Sequence, residues 1–150
     1  MKKFIWPLQR LLDIKEKQED FAQMELVAIT EQMVMIRGQI MMQRTLLRWL
    51  FSELNQLEPQ QRMLRQRECM KYAHVTDAKI KTLGQTLQEV EQKRKKKMEA
   101  VMALRKLRKS LEQLRAKALI RYQEKLNKME QKQLDEYITT TCARKYLTPA

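Results

Sequence analysis

The residues with the clearest chemical potential are the cations of residues 92–109, QKRKKKMEAVMALRKLRK. This stretch holds nine cations and one acid, and residues 93–125 hold thirteen cations against three acids. Such a run could bind phosphate groups, an anionic membrane or an acidic protein surface. A helix turns about 100° per residue, so the five cations from Lys93 to Lys97 point in nearly every direction. At least one of them must therefore face whatever packs against the helix.

Residue types that support catalysis or metal binding are sparse. Cys69 and Cys142 are far apart and belong to no CxxC pair, and His74 is the only histidine. This favours free thiols in a reducing compartment over a disulfide or a zinc site. The sequence has no Gly-rich phosphate loop and no nucleophile with a neighbouring base. We predict a protein that is not an enzyme and that has no cofactor and no metal site.

The composition is typical of long helices. The 150 residues include only two Gly and three Pro, whereas folds with frequent turns need many Gly, Pro, Asn and Asp residues. The net charge is +13, which predicts an acidic partner. The apolar run at the N-terminus stops at Pro7, too short for a secretory signal or a membrane span. We therefore expect a cytoplasmic protein.

A heptad pattern predicts a first helix over about residues 7–57. Alternating steps of three and four residues visit fourteen positions, eleven of them apolar, which is typical of a coiled-coil seam. We call these positions the first-helix seam: Leu12, Lys15, Glu19, Ala22, Leu26, Ile29, Met33, Ile36, Ile40, Gln43, Leu47, Leu50, Leu54 and Leu57.

Pro59 is expected to end the first helix, because the residue before a proline is disfavoured in α geometry. A connector with a short helix follows over about 59–75, broken by the β-branched pair Val75–Thr76. A second helix is predicted over about 77–138, with a frayed tail at 139–150. Its seam is Ile80, Leu83, Leu87, Val90, Arg94, Lys97, Val101, Leu104 and Leu111, then Leu119, Tyr122, Leu126 and Met129 after a one-residue shift of register.

Two such helices predict an all-α fold, a long antiparallel two-helix coiled-coil hairpin with a short helical connection, forming a single domain over residues 1–150. A hinge near residue 67 would place Lys97 opposite Gly38 and Arg94 opposite Met41. Long cationic side chains can lay their methylene groups over methionine there. The remaining cations would form a solvated basic ridge.

Two further surfaces carry alternative interpretations. The stretch TLLRWLF, Thr45 to Phe51, is apolar almost all round, and residues 59–74 could fold back to cover it or leave it exposed for a partner. The side chains predicted to meet in the first case are Met63, Leu64, Met70 and Tyr72 with Trp49 and Phe51. Met33 is expected in the core, whereas Met35 and Met42 lie off the seam and are candidates for an adaptable interface.

The two ends of the chain carry a resemblance. The N-terminal stretch FIWPLQRLLDIKEKQEDFAQMEL includes the motif L-x-x-L-L-D at Leu8–Asp13. The C-terminal stretch KLNKMEQKQLDEYITTTCARK includes LDEY at Leu134–Tyr137. With the length and the hairpin pattern, these features resemble the FliJ family of the flagellar export ATPase complex.

The resemblance implies a non-catalytic stalk that sits in the pore of the flagellar export ATPase hexamer. It further implies contacts with the export-gate membrane protein and with export chaperones, no small-molecule substrate, and a cytoplasmic location peripherally associated with the inner membrane at the flagellar base. Three sets of partner-binding residues are expected. The ring set is Phe4, Leu8, Leu11, Leu134, Asp135 and Tyr137. The basic ridge set is Lys95, Lys96, Arg105, Lys106, Arg108 and Lys109. The hinge-end set is Trp49, Phe51 and Tyr72.

Three alternatives stay open at this point. One is the equivalent stalk component of a virulence type III secretion system, which shares the shape. A second, of a different class, is a basic coiled-coil nucleic-acid-binding protein, although the absence of aromatic residues between Lys93 and Arg121 disfavours it. The third is a scaffold that dimerises through exposed seams.

Overall fold

The computed structural model describes residues 3–147, and within that range the fold is all-α. The two helices are α1 (Gln9–Gln56) and α2 (Pro59–Leu147). They pack against each other as a hairpin, which confirms the predicted fold class. No helix in the described range is long and apolar enough to span a membrane.

The described chain divides into two compact units. One consists of Met1–Gln18 with Leu104–Ala150, and the other of Glu19–Ala103. Each unit contains a segment of α1 and a segment of α2, so each has its own interhelical packing. The single domain expected over residues 1–150 stays a prediction.

The first-helix seam is where α1 is buried. All fourteen predicted positions are buried or half-buried, and Leu12, Ala22, Met33 and Leu54 are among the most buried apolar residues of the chain. Apolar side chains at a 3.5-residue period form one stripe, which leaves water only by packing on a second helix. The heptad pattern therefore identified the packed face of α1 correctly.

The seam of α2 follows the prediction up to Leu111 and then departs from it. Val90 and Val101 are buried, and Arg94 and Lys97 are half-buried at seam positions. Beyond Leu111, Ala118 is half-buried while the predicted Leu119 is exposed. The register shift therefore comes later, between Tyr122 and Leu126, which are both half-buried. Met129, the last predicted seam position, is exposed.

The connection between the helices is Leu57–Glu58, far shorter than the predicted connector. The Leu57 N–H donates to the Leu54 carbonyl at 3.4 Å. Nη2 of Arg62 donates to the carbonyls of Asn55 and Leu57 at 3.0 Å each. Because the last carbonyls of a helix have no partner within the helix, Arg62 of α2 supplies donors that close the end of α1.

Arg62→Ala is expected to destabilise the protein by about 1 kcal/mol, the range of one or two modest hydrogen bonds. Stability would be lost because the Asn55 and Leu57 carbonyls would be hydrogen-bonded to water instead of to the Arg62 guanidinium. Urea denaturation followed by circular dichroism measures it. Arg67→Ala, at an arginine that is also exposed and lies five residues further along α2, is the matched control and should change stability by less than about 0.5 kcal/mol. Equal effects of the two substitutions would contradict the capping role.

The short connection corrects the predicted pairing of the two helices. Lys97 forms a salt bridge with Glu25, not a contact with Gly38, and Arg37 pairs with Glu91 at 2.8 Å. The predicted register assumed a hinge near residue 67. With the turn at Leu57–Glu58, each residue of α2 meets an earlier residue of α1. Arg94 is therefore also not opposite Met41.

The predicted helix break at Val75–Thr76 is wrong, because α2 continues through it. The Thr76 hydroxyl is buried and donates to the Tyr72 carbonyl at 2.8 Å. This bond satisfies the polar group within the helix itself. The helix propensity penalty of a β-branched residue is below about 0.7 kcal/mol, and burial outweighs it here.

The helix ends also differ from the prediction. At the N-terminus α1 begins at Gln9, and Pro7 lies in a preceding turn in which the Gln9 N–H donates to the Trp6 carbonyl at 3.1 Å. At the C-terminus α2 continues to Leu147 instead of fraying after residue 138. The hydroxyls of Thr139, Thr140 and Thr141 donate to the carbonyls of Asp135, Glu136 and Tyr137. Residues 148–150 of the predicted tail lie outside the described range.

Candidate functional site

The ring set lies in the unit formed by Met1–Gln18 with Leu104–Ala150, and it divides into two parts. Phe4 is half-buried, and its ring lies 5.3 Å from that of Tyr122 at an angle of 52°. Trp6 is buried nearby in sequence. Leu8 and Leu11 are exposed on the first turns leading into and along α1. The N-terminal part therefore combines an anchored aromatic residue with exposed leucines.

The C-terminal part of the ring set is separate. Leu134 lies twelve residues beyond Tyr122, or about 18 Å along the helix axis at a rise of 1.5 Å per residue. Leu134, Asp135 and Tyr137 are all exposed. The structure thus does not gather the six residues into one cluster.

The last turns of α2 have no cover from the rest of the described chain. Every described residue after Leu126 is exposed. Large apolar side chains are nevertheless present, namely Met129, Leu134, Tyr137, Ile138, Tyr146 and Leu147. Exposed apolar residues grouped on one segment typically mark an interaction surface. This segment, Asn127–Leu147, is called the terminal extension below.

In the Glu19–Ala103 unit, the cations of the predicted ridge have two different environments. Lys95 and Lys96 are exposed, whereas Arg94 and Lys97 occupy seam positions. Lys97 is neutralised by Glu25. Nε of Arg94 is buried and has no hydrogen-bond partner among the described residues. Part of the cation run therefore belongs to the packed seam, as the helical geometry required.

In the other unit, the ridge residues also divide. Lys106 and Lys109 are exposed, whereas Arg105 and Arg108 are half-buried and interact within the protein. Arg108 donates to Glu112 at 2.6 Å, one helical turn later. The two lysines are consequently the better candidates for binding an acidic partner.

The hinge-end set is partly brought together. Trp49 and Tyr72 line a shallow apolar groove of about 410 Å³ with Leu46, Leu50 and Cys69. Phe51 is exposed but does not line this groove. It follows Trp49 by two positions, and side chains two positions apart on a helix point about 200° apart. The fold-back interpretation is wrong for Met63, Leu64 and Met70, which stay largely exposed.

Sequence reasoning missed most of an exposed apolar face on α1. Met35 and Met42 were predicted as interface candidates, and both are exposed. They belong to a larger set on the side of α1 opposite the first-helix seam. We call this set the outer stripe: Phe21, Met24, Val27, Ala28, Val34, Met35, Met41, Met42 and Trp49, all exposed. The sequence signal for this face was a run of apolar residues seven positions apart: Phe21, Ala28, Met35, Met42 and Trp49. The stronger pattern of the first-helix seam obscured it.

Residues with metal-binding or redox chemistry do not converge. Among residues 3–147, no group of three or more His, Cys, Asp or Glu side chains could hold a metal ion. Cys69 is half-buried and Cys142 is exposed, both as free thiols.

Comparison with known families decides the relationship. The profile of the flagellar FliJ protein family matches residues 3–146. The chain belongs to the FliJ family. No curated protein and no solved structure matches it.

Membership of the FliJ family covers nearly the whole chain, including both α1 and α2. It indicates a component connected with flagellar protein export. The family match therefore agrees with the resemblance seen at Leu8–Asp13 and Leu134–Tyr137. The FliJ-family chain presents exposed helix surfaces, among them the whole of the terminal extension.

Proposed function

We propose that the chain is the stalk and escort component of the flagellar export ATPase complex. The end that carries both termini docks in the pore of the ATPase hexamer, and the Leu57–Glu58 turn points towards the export-gate membrane protein. The chain also contacts export chaperones. It acts in the cytoplasm, peripherally associated with the inner membrane at the flagellar base.

The observation that carries this proposal is the FliJ family match combined with the terminal extension. The extension keeps Leu134 and Tyr137 exposed on a helix that α1 no longer covers. A rigid helix end with uncovered apolar side chains suits insertion into a central pore, because it binds without first having to fold. Phe4, whose ring packs on that of Tyr122, adds an aromatic residue in the same unit.

The direct test measures ATP hydrolysis by the purified export ATPase with and without the purified chain. Stimulation that saturates with added chain is the expected result. An ATPase whose rate does not change, although the chain binds it, would overturn the stalk role. A chain that binds no export ATPase would overturn the proposal as a whole.

The exposed lysines of the basic ridge give a second test of docking. Lys106→Glu with Lys109→Glu is expected to weaken the complex about tenfold at low salt, because rim charges steer association and each 1.4 kcal/mol is a factor of ten. The defect should shrink at high ionic strength, where exposed charges are screened. The affinity is measured by titrating the chain into the ATPase reaction.

The matched control is Lys79→Glu with Lys81→Glu, which changes the net charge equally at two exposed lysines of α2 away from the ridge. It should bind like the unmodified chain. If both pairs weaken binding to the same degree, the attraction depends on net charge and not on Lys106 and Lys109.

A further inference from the structure

We propose that two copies of this chain pair antiparallel through the outer stripe of α1. The stripe lies in the Glu19–Ala103 unit at the helix positions opposite the first-helix seam, and two of its edge members, Met41 and Trp49, also line shallow grooves with residues of α2. Apart from Trp49, which also belongs to the hinge-end set, the stripe is a surface that the stalk role does not use. The proposal would hold or fail independently of the proposed function.

The first observation is the pattern of the stripe. At the three helix positions directly opposite the seam, nine of the thirteen residues from Phe21 to Trp49 are apolar, and Glu31 and Arg48 are the only charged ones. The side chains remain largely exposed, with Met35 at 65% and Met42 at 72%. Four heptads of apolar spacing are the length at which a coiled-coil seam is sustained. An α1 helix with two opposite seams has an unpartnered face of coiled-coil type.

The second observation is Gly38, in the middle of this face. Glycine is unfavourable inside a helix, so its presence needs a reason. A Cβ at Gly38 would meet nothing within 4 Å, so the packing of this chain does not require it. Gly38 instead forms the floor of a shallow depression lined by Met41, Met42, Thr45 and Trp49. A second helix can approach closely there and insert a side chain.

The third observation is charge, and it selects a second copy as the occupant. The acid Glu31 lies in the N-terminal half of the face and Asp20 immediately precedes it, whereas its cation Arg48 lies at the C-terminal end. In an antiparallel pair centred between Val34 and Met35, Asp20 of one copy lies beside Arg48 of the other, twice by symmetry. Asp20 and Arg48 occupy the same heptad position, and equivalent flanking positions face each other in antiparallel coiled coils.

The same register accounts for the remaining charge on the stripe. Glu31 of one copy falls opposite Gly38 of the other, where the missing side chain leaves room for the carboxylate to reach solvent. Phe21 falls opposite Arg48 and Trp49, so the aromatic ends of the stripe meet. A parallel pair would instead set Asp20 against Asp20 and Arg48 against Arg48, which is repulsive.

A charge-exchange experiment tests the partner and the register together. Sedimentation equilibrium of the full chain over a range of concentrations is expected to show a monomer–dimer equilibrium. Asp20→Arg and Arg48→Asp, each alone, should weaken the dimer about tenfold or more because each places two like-charge pairs in the interface. The double variant should recover most of the affinity. Additive weakening in the double variant would overturn the proposed register.

A second pair of variants keeps the proposal falsifiable if the charges contribute little. Met35→Glu with Met42→Glu should leave the chain monomeric. Met63→Glu with Leu64→Glu, somewhat more exposed and outside the stripe, should not change the dimer. Circular dichroism checks that all variants remain helical. A dimer that survives the first pair, or is lost with the control pair, would overturn the proposal.

Crosslinking then determines the orientation. In a chain with Cys69→Ser and Cys142→Ser, Met35→Cys lies close to the two-fold axis and should form an intermolecular disulfide on oxidation. Phe21→Cys should not, because its equivalent is far along the partner helix. Efficient crosslinking of Phe21→Cys would indicate a parallel pair and overturn the antiparallel arrangement. So would an unmodified chain that stays monomeric at about 100 µM, a concentration at which a micromolar dimer is nearly complete.

Discussion

Leu12→Ala is expected to lower the free energy of unfolding by about 2–5 kcal/mol, the range seen when a fully buried leucine is truncated. Leu12 is 2% exposed and is the largest fully buried apolar side chain of the described residues. Truncating the Leu12 side chain removes apolar contact area and leaves a cavity. In a hairpin of two helices, the described chain has no third element that can move in to fill that cavity. Urea denaturation followed by circular dichroism measures the change.

Leu11→Ala is the matched control for this prediction. Leu11 is the adjacent leucine, 41% exposed and off the first-helix seam, so its truncation should cost less than about 1 kcal/mol. The comparison keeps residue type and position in α1 constant and varies only burial. Similar losses for Leu11→Ala and Leu12→Ala would mean that the seam does not determine stability at this end.

Leu134→Glu combined with Tyr137→Glu is expected to abolish stimulation of the export ATPase while leaving the fold intact. Both residues are exposed on the terminal extension, so the substitutions remove no buried contact. Tyrosine anchors at interface hot spots contribute about 2 kcal/mol or more, which corresponds to an affinity loss of about thirtyfold or more. The readout is the ATPase rate at saturating and subsaturating chain, together with direct binding.

Met129→Glu is the control on the same extension. Met129 is similarly exposed but lies about 140° around the helix from Leu134 and about 80° from Tyr137. It should stimulate normally. If Met129→Glu is as defective as the double variant, any charge on the extension disrupts docking, and the assignment to Leu134 and Tyr137 is wrong. If the double variant stimulates the ATPase fully, the terminal extension does not contact the ATPase ring.

The face along which α1 packs could be predicted from the sequence because one physical requirement dominates it. Apolar side chains at a 3.5-residue period leave water only by meeting another helix, and all fourteen seam positions obey this. Even the polar members conform. Glu19 is buried and accepts a hydrogen bond from Gln23 at 3.5 Å, and Lys15 is half-buried.

The position of the turn could not be predicted in the same way. Pro59 correctly indicated that α1 ends, but it also begins α2 directly, where its missing N–H costs nothing. Whether residues 59–74 formed a separate connector depended on Val75–Thr76. The propensity of two β-branched residues is a weak signal, and the Thr76 bond to the Tyr72 carbonyl reverses it. One misplaced turn then shifted every predicted partner, including that of Lys97.

The sequence predicted which residues form the candidate site better than it predicted their contacts and orientation. The sequence identified Lys106 and Lys109 as parts of a basic ridge, but not that Arg108 is engaged by Glu112. It placed Trp49, Phe51 and Tyr72 together at the turn end. It did not show that Phe51 lies on a different face of α1 from Trp49. Such distinctions depend on the rotation of each helix about its axis, which the heptad count fixes only to within one register shift.

The contrast between Met33 and the methionines of the outer stripe has a chemical consequence. Oxidants convert an exposed methionine thioether to a polar sulfoxide, whereas a buried one is shielded. Met33 is buried, and Met35, Met41 and Met42 lie open. Mild peroxide should therefore turn the outer face of α1 hydrophilic before it reaches the packed interior, and methionine sulfoxide reductases should restore it. The hydrophobicity of the outer stripe should thus depend on the redox state of the surroundings, while the buried seam keeps the hairpin folded.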